Sequence, residues 1–286
     1  MNRNMRMSCP WPGASRYIAQ LLAVSFICLA AALQAAAGAP AAEPWPRWEA
    51  SDASSTRVIN HDAWSQLLHR RVRTGADGVN RFDYAGVTAA ERQELGRYIA
   101  GLEAVDPDGL NRAEQKAFWI NLYNAVTVQL VLAHYPVASI RDIRSGFLGL
   151  SGPWTAVRVE VNGIALSLDD IEHRILRPGW RDPRIHYAVN CASIGCPDLQ
   201  AEAFTAANTE RLLEKGAAAY INHPRGVRVT EGGLYLSSIY DWFREDFGGT
   251  EGVIRHLKNY AAPELTARID SAEKVAGYGY DWALNQ

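Results

Sequence analysis

No run of lysine or arginine occurs in this chain, whose 29 basic side chains are set against 31 acidic ones. Nucleic acid and anionic membrane surfaces select clustered positive charge, so neither is an expected partner. The motifs of the commonest chemistries are missing too. There is no G-x-S-x-G elbow, no G-x-x-x-x-G-K-[ST] phosphate loop, no H-E-x-x-H helix and no G-x-G-x-x-G fingerprint. These absences set aside the usual hydrolase, nucleotide and dinucleotide readings. No internal repeat is present, and no apolar stretch after the first 39 residues is long enough to suggest a membrane span. Cysteine is scarce, with Cys9, Cys28, Cys191 and Cys196 making up all 4.

The N-terminus carries Arg3, Arg6 and Arg16 and no acid before Glu43. An apolar stretch from Tyr17 to Leu33 follows, then small residues ending in Ala37-Gly38-Ala39. That is the order of a secretory signal peptide, which predicts cleavage after Ala39 and a periplasmic or secreted protein. A retained membrane anchor is the alternative, and Gln34 with the Ala/Gly/Pro-rich run behind it argues for cleavage. A lipid anchor would need a Cys at the cleavage point, whereas Cys28 lies inside the apolar stretch. Cleavage removes Cys9 and Cys28, and an even pair in an oxidising compartment reads first as a disulfide, Cys191 to Cys196.

Residues 40–60 are rich in Pro, Ala and Ser and read as a linker or loosely docked arm, with one folded domain over residues 61–286. Helices are predicted over Asp62 to Val72 and up to Val105, where Leu95, Tyr98, Ile99 and Leu102 recur at helical spacing. The longest runs from Asn111 to Tyr135, with Asn111 as N-cap, Glu114 three residues on and Pro136 as its stop. It is apolar on nearly every side from Ala117 to Ala133, which marks a buried central helix. Val157, Val159 and Val161 alternate before Asn162-Gly163 and Ile164 to Leu166, a β-hairpin signature. Ser167 with Asp170 opens a short helix that Pro178 ends. Ile185 to Val189 reads as a buried strand feeding the loop Asn190 to Asp198. Then come a helix over Asn208 to Ile221, a hairpin around Gly232-Gly233, and helices from Ser237 to Gly248, Glu251 to Tyr260 and Glu264 to Ala272. An aromatic strand-like run, Tyr278 to Trp282, closes the chain. The fold class is α+β, a single mostly helical domain with short antiparallel hairpins.

Three places offer chemistry. Asn121 and Asn124 lie three apart on the buried helix, and an amide buried without a partner costs about 1–3 kcal/mol. They therefore imply a pocket or a structural network tying the helix to a loop. His186 and Cys191 stand at the predicted strand and its end, where a thiol and an imidazole would act as nucleophile and general base. On an ideal strand, however, five residues of separation put them on opposite sides. His173 follows Asp169, Asp170 and Glu172, as a base with its orienter or as part of a solvated helix start. His173, His186, Cys191 and Cys196 together would offer zinc four ligands, a minor alternative because C-x4-C lacks the tight Cys pair of common sites. No cofactor is otherwise expected.

At these residues the chain resembles a known family, domain of unknown function 547. The stretches that carry the likeness are Ala117 to Leu132 (AFWINLYNAVTVQLVL), Leu166 to Pro178 (LSLDDIEHRILRP), Asp182 to Leu199 (DPRIHYAVNCASIGCPDL), Leu236 to Gly248 (LSSIYDWFREDFG) and Tyr280 to Asn285 (YDWALN). The resemblance implies a domain over most of Phe82 to Asn285 and export, and it implies no activity. By analogy, a buried helix beside a His-bearing strand looks like the core of papain-like and transglutaminase-like enzymes. No Cys lies on the helix from Ala117, so the thiol position of those folds is vacant here. Two functions follow as expectations. One is an exported hydrolase or transferase acting on envelope or extracellular material, with His186 as general base, Asn121 and Asn124 as hydrogen-bond donors, and Cys191 as nucleophile. The other is a non-catalytic envelope domain that binds a partner, held by a structural Cys191–Cys196 disulfide.

Overall fold

The structure, a computed structural model, describes residues 40–144, 152–156, 159–272 and 274–286. The signal-peptide reading, with Cys9 and Cys28, and the hairpin residues Val157 and Arg158 lie outside them. Pro40–Gln286 make one compact unit, helical for the most part, with three small sheets. It is a single-domain α+β fold.

Helix α1 (Asp62–Arg71) runs directly into a hairpin of β1 (Val72–Thr74) and β2 (Asn80–Phe82). Its turn runs through Gly75, Asp77 and Gly78, and the strands are too short for the sequence to show alternation. Thr88 and Glu91 form a full capping box at the start of α2 (Ala89–Glu103). Helix α3 (Arg112–His134) is the expected central helix, with the Asn111 side chain accepting from the amides of Ala113 and Glu114. Every residue from Glu114 to Leu132 except Gln129 is buried. Phe118, Trp119, Leu122 and Val131 pack there with Trp64, Phe82 and Tyr84, each large side chain contributing about 1.5–3 kcal/mol of transfer free energy. A second cluster, built on Tyr187, Tyr220, Tyr240, Phe247 and Leu257, lies under α4 (Thr209–Ile221) and α5 (Gly249–Tyr260).

The hairpin of β3 (Val159–Val161) and β4 (Ile164–Leu166) forms across Asn162-Gly163, both with positive φ as this turn requires. Strands β5 (Val227–Thr230) and β6 (Gly233–Ser237) pair antiparallel. After α6 (Pro263–Asp270) the chain adds β7 (Val275–Gly279) parallel to β6, so the final strand starts and ends earlier than Tyr278 to Trp282. Local sequence carries no signal for that pairing.

Two expectations need correction near the candidate site. The segment Ile185 to Val189 is not a strand. Pro183–Tyr187 form a 3-10 helix, opened by Asp182, whose side chain accepts from the Arg184 amide. Burial on all sides gives both structures the same apolar run, so periodicity could not separate them. The short helix after Ser167 is a π-helix, Asp170–Leu176, and Pro178 does not end it but sits in the helical turn Arg177–Trp180 that follows. Pro178 has no N–H to return to the preceding turn. The carbonyls of His173 and Arg174 accept instead from the amides of Glu43 and Trp45, both at 3.1 Å. Residues 40–60, expected as a linker or loosely docked arm, are thus docked on the domain, with Trp48 buried edge-on against Trp119.

Candidate functional site

Asn121 and Asn124 clamp loops onto α3. The Asn121 amide donates to the Phe204 carbonyl at 2.7 Å while its oxygen accepts from the Phe204 N–H at 3.0 Å. Asn124 donates to Ala188 O and accepts from Asn190 N–H, both at 2.8 Å. Each amide is buried with both of its ends committed to backbone, which answers how two amides survive in an apolar helix. Neither has the free carboxamide face that a substrate donor would present. Asn124 nevertheless fixes where Asn190, and hence Cys191, begins.

His173 and His186 come together, although they sit on different helices. Phe243 stacks on His186 with ring centroids 4.2 Å apart and lies 5.9 Å from His173. Arg177, one helical turn after His173, joins the two. Its Nη1 donates to His173 Nδ1 at 3.0 Å, and its Nε and Nη2 grip both oxygens of Asp246 at 2.6 and 3.1 Å. His186 Nε2 meets the same carboxylate at 2.7 Å, and its Nδ1 faces Glu172 at 3.9 Å. Burial would raise the Asp246 carboxyl, but the hydrogen bonds from His186 and Arg177 outweigh it and hold the group well below the usual range.

Because Arg177 can only donate, Nδ1 of His173 accepts and the ring proton resides on Nε2. That nitrogen points to Asp169 Oδ1 at 3.6 Å. Burial lowers the His173 pKa, with Glu172 opposing and Arg177 adding to it, so the ring is neutral. Asp169 stands at the outer end of the chain, its side chain 29% exposed. Burial and the neighbouring charges of Glu172 and Asp170 raise its carboxyl to about 6. On the Arg177 and Asp246 side the network borders a cavity of about 250 Å3, whose wall includes Arg181, Asp182, Ala42 and Pro44. Pro40 O accepts from Arg177 Nη1 at 2.7 Å, so the arm reaches this network as well.

Cys191 belongs to a separate cluster. Its sulfur touches Ser193 Oγ at 3.1 Å and the Tyr280 hydroxyl at 3.0 Å, while its backbone N–H donates to Cys196 Sγ at 3.1 Å. Cys191 and Cys196 stand as free thiols, half-buried and buried respectively. The cluster depends on the C-terminal tail, because Ile194 N–H donates to Ala283 O and Gly195 N–H to Asp281 O, each at 2.8 Å. Gly195 is required at that crossing, since a Cβ there would come within 2.7 Å of the Asp281 nitrogen. No imidazole bonds the Cys191 sulfur, so the expected thiol–imidazole pair is not assembled. Among the described residues no group of three or more His, Cys, Asp or Glu side chains is placed to hold a metal ion.

Residues 107–221 match the family model described as Protein of unknown function, DUF547. This chain carries a DUF547 segment. The match is narrower than the span implied by the resemblance, taking in Asn121, Asn124, His173, His186 and Cys191 and stopping before Asp246 and Tyr280. No curated protein and no solved structure matches the chain. Outside the DUF547 segment, Asp246 and Tyr280 were missed as site residues although both lie in stretches that carried the resemblance. Arg177 had a local signal, the i,i+4 spacing from His173. Ser193, two residues after Cys191, had none.

Proposed function

We propose that the chain is an exported hydrolase or transferase acting on cell-envelope or extracellular material, with its acid–base chemistry at Asp169 and the two histidines. One observation carries the reading: a hydrogen-bonded chain from His173 through Arg177 and Asp246 to His186, with the partly exposed Asp169 carboxylate 3.6 Å from His173 Nε2 at its outer end. An acid–base catalyst works best with a pKa near the ambient pH, and Asp169 at about 6 meets that condition. Asp246 orients His186, the general base in this reading, and would stabilise the imidazolium that forms when the ring takes a proton. Burial, with Arg177 adding to it, keeps His173 neutral, so that its Nε2–H is available to a developing oxyanion or to Asp169. Asn121 and Asn124 act by positioning the loops.

The test is turnover of peptidoglycan, envelope polysaccharide and small chromogenic esters and amides by the protein and by its Asp169→Asn and His186→Gln variants. Turnover with a pH limb near 6 that vanishes in Asp169→Asn supports the reading. Unchanged turnover by folded His186→Gln refutes it.

The loop favours a second reading, a non-catalytic envelope domain in which export brings oxidation and a Cys191–Cys196 disulfide. The Cys191 N–H on Cys196 Sγ already holds the two residues together. Intact mass of the secreted protein checks the cleavage after Ala39 and the bridge together.

A further inference from the structure

The Cys191 cluster lacks a partner for acyl transfer but has one for sulfur exchange. Attack on an acyl group needs an acid to protonate the leaving group, and among the described residues no imidazole or carboxylic acid touches the Cys191 sulfur. Exchange with a disulfide needs only a stabilised thiolate and a second thiol within reach. Both are present. Ser193 Oγ donates to the Tyr280 oxygen at 3.0 Å, which leaves the Tyr280 O–H free to donate to Cys191 Sγ at 3.0 Å. Cys196 lies against Cys191 across a loop turned by Ala192 at φ 58°, a left-handed conformation that side chains seldom adopt.

The loop is also held rigidly around the pair. Arg225 Nη1 donates to the carbonyls of Ile194 at 3.0 Å and Cys196 at 2.9 Å, and the Tyr220 hydroxyl donates to Gly195 O at 2.6 Å. The two sulfurs differ as an attacking and a resolving thiol must. Cys191 is half-buried, whereas Cys196 is 4% exposed. Hydrogen bonding from Cys196 and Tyr280 lowers the Cys191 pKa against the opposing effect of burial, and burial raises that of Cys196.

We infer that Cys191 and Cys196 form a thiol–disulfide exchange centre, with Cys191 as attacking thiolate and Cys196 as resolving thiol toward a small-molecule or protein disulfide. The Cys191 thiolate attacks one sulfur of R–S–S–R′, forming a mixed disulfide with R and expelling R′–S⁻, which takes up the proton Cys191 gave up. Cys196 then attacks Cys191 Sγ, its own proton passing to the departing R–S⁻. The protein leaves with two thiols oxidised to one disulfide, and the substrate disulfide is reduced to two thiols. This inference is independent of the acid–base reading, and its test reads sulfur alone.

The experiment uses glutathione disulfide as oxidant and mass spectrometry as readout. Reduced protein is expected to form the Cys191–Cys196 bridge, Cys196→Ser to stop at a glutathione adduct on Cys191, and Cys191→Ser to form at least tenfold less adduct. In buffers of graded reduced and oxidised glutathione the pair is expected to pass from thiols to disulfide within the series. Iodoacetamide should label Cys191 with a midpoint below the ordinary thiol value of about 8.5, and Tyr280→Phe should move that midpoint up. Cys196→Ala serves if the serine variant melts early. A bridge that stays closed throughout the series is a static clip and overturns the proposal, as does a Cys191 that labels with an ordinary midpoint or a Cys196→Ser that takes no adduct.

Discussion

Replacing Asn124 by alanine distinguishes a loop clamp from a substrate donor. The substitution removes the partner of Ala188 O and the partner of Asn190 N–H, both at 2.8 Å and both inside the protein. A buried backbone group left without its bond costs about 1–3 kcal/mol, so two of them cost about 2–6 kcal/mol. For a domain of this size about 1 kcal/mol moves the melting temperature about 2–4 °C, which places the expected drop at about 4–24 °C. Asn124→Asp grades the same effect, since its oxygen still accepts from Asn190 while its second oxygen faces the Ala188 carbonyl. Calorimetry of both variants at neutral pH, beside Asn121→Ala, gives the readout. If Asn124→Ala melts within a degree of the parent, the amide is no clamp, and a role at a binding surface returns.

The remaining predictions concern charge and close packing. Burial depresses His61 and His256 to about 4, so the folded state refuses protons that the unfolded chain accepts. Stability should therefore fall as pH drops from about 6.5 to about 4, by about 2–3 kcal/mol for each ring, and denaturant melts of His61→Asn against the parent should show a shallower loss. Asp169 acts in the opposite sense. Its carboxyl, raised to about 6, makes stability fall as pH rises from about 4 to 6, so Asp169→Asn should melt several degrees higher at pH 7.5; a lower melting point would refute its burial as a charge. Arg177→Ala leaves Asp246 with His186 alone and His173 Nδ1 without its donor, and breaking such a buried pair should cost about 3–5 kcal/mol by urea unfolding. Gly195→Ala forces a Cβ against the Asp281 backbone and should open the crossing, read as faster hydrogen exchange at the Ile194 and Gly195 amides.

The α3 helix was legible because everything that specifies it is local. Asn111 caps it, Pro136 follows its end, and seventeen or so apolar-rich residues between them leave only burial as an outcome. The Asn162-Gly163 turn was legible for the same reason, its positive φ values being written in the dipeptide. The 3-10 segment Pro183–Tyr187 was not, since total burial erases the period that separates strand from helix. The π-helix and the arm strapped across it follow from Pro178, but only when the carbonyls it leaves free have somewhere to go.

The candidate site divides along the same line. Sequence alone selected His173, His186, Cys191, Asn121 and Asn124, by residue type and by the oddity of amides in an apolar helix. It could not say that both amides are consumed by loop backbone, because their partners, Phe204, Ala188 and Asn190, lie 64 to 83 residues away. Only the tertiary structure joined His173 to His186 through Arg177 and Asp246, across 69 residues of chain. It also parted Cys191 from the imidazoles and gave it Tyr280, from the far end of the chain. Local sequence sets caps, turns and burial, since these depend on neighbours within a few residues. Which polar groups meet inside is decided by how those buried elements pack, and each must find a partner there or bear its desolvation unaided.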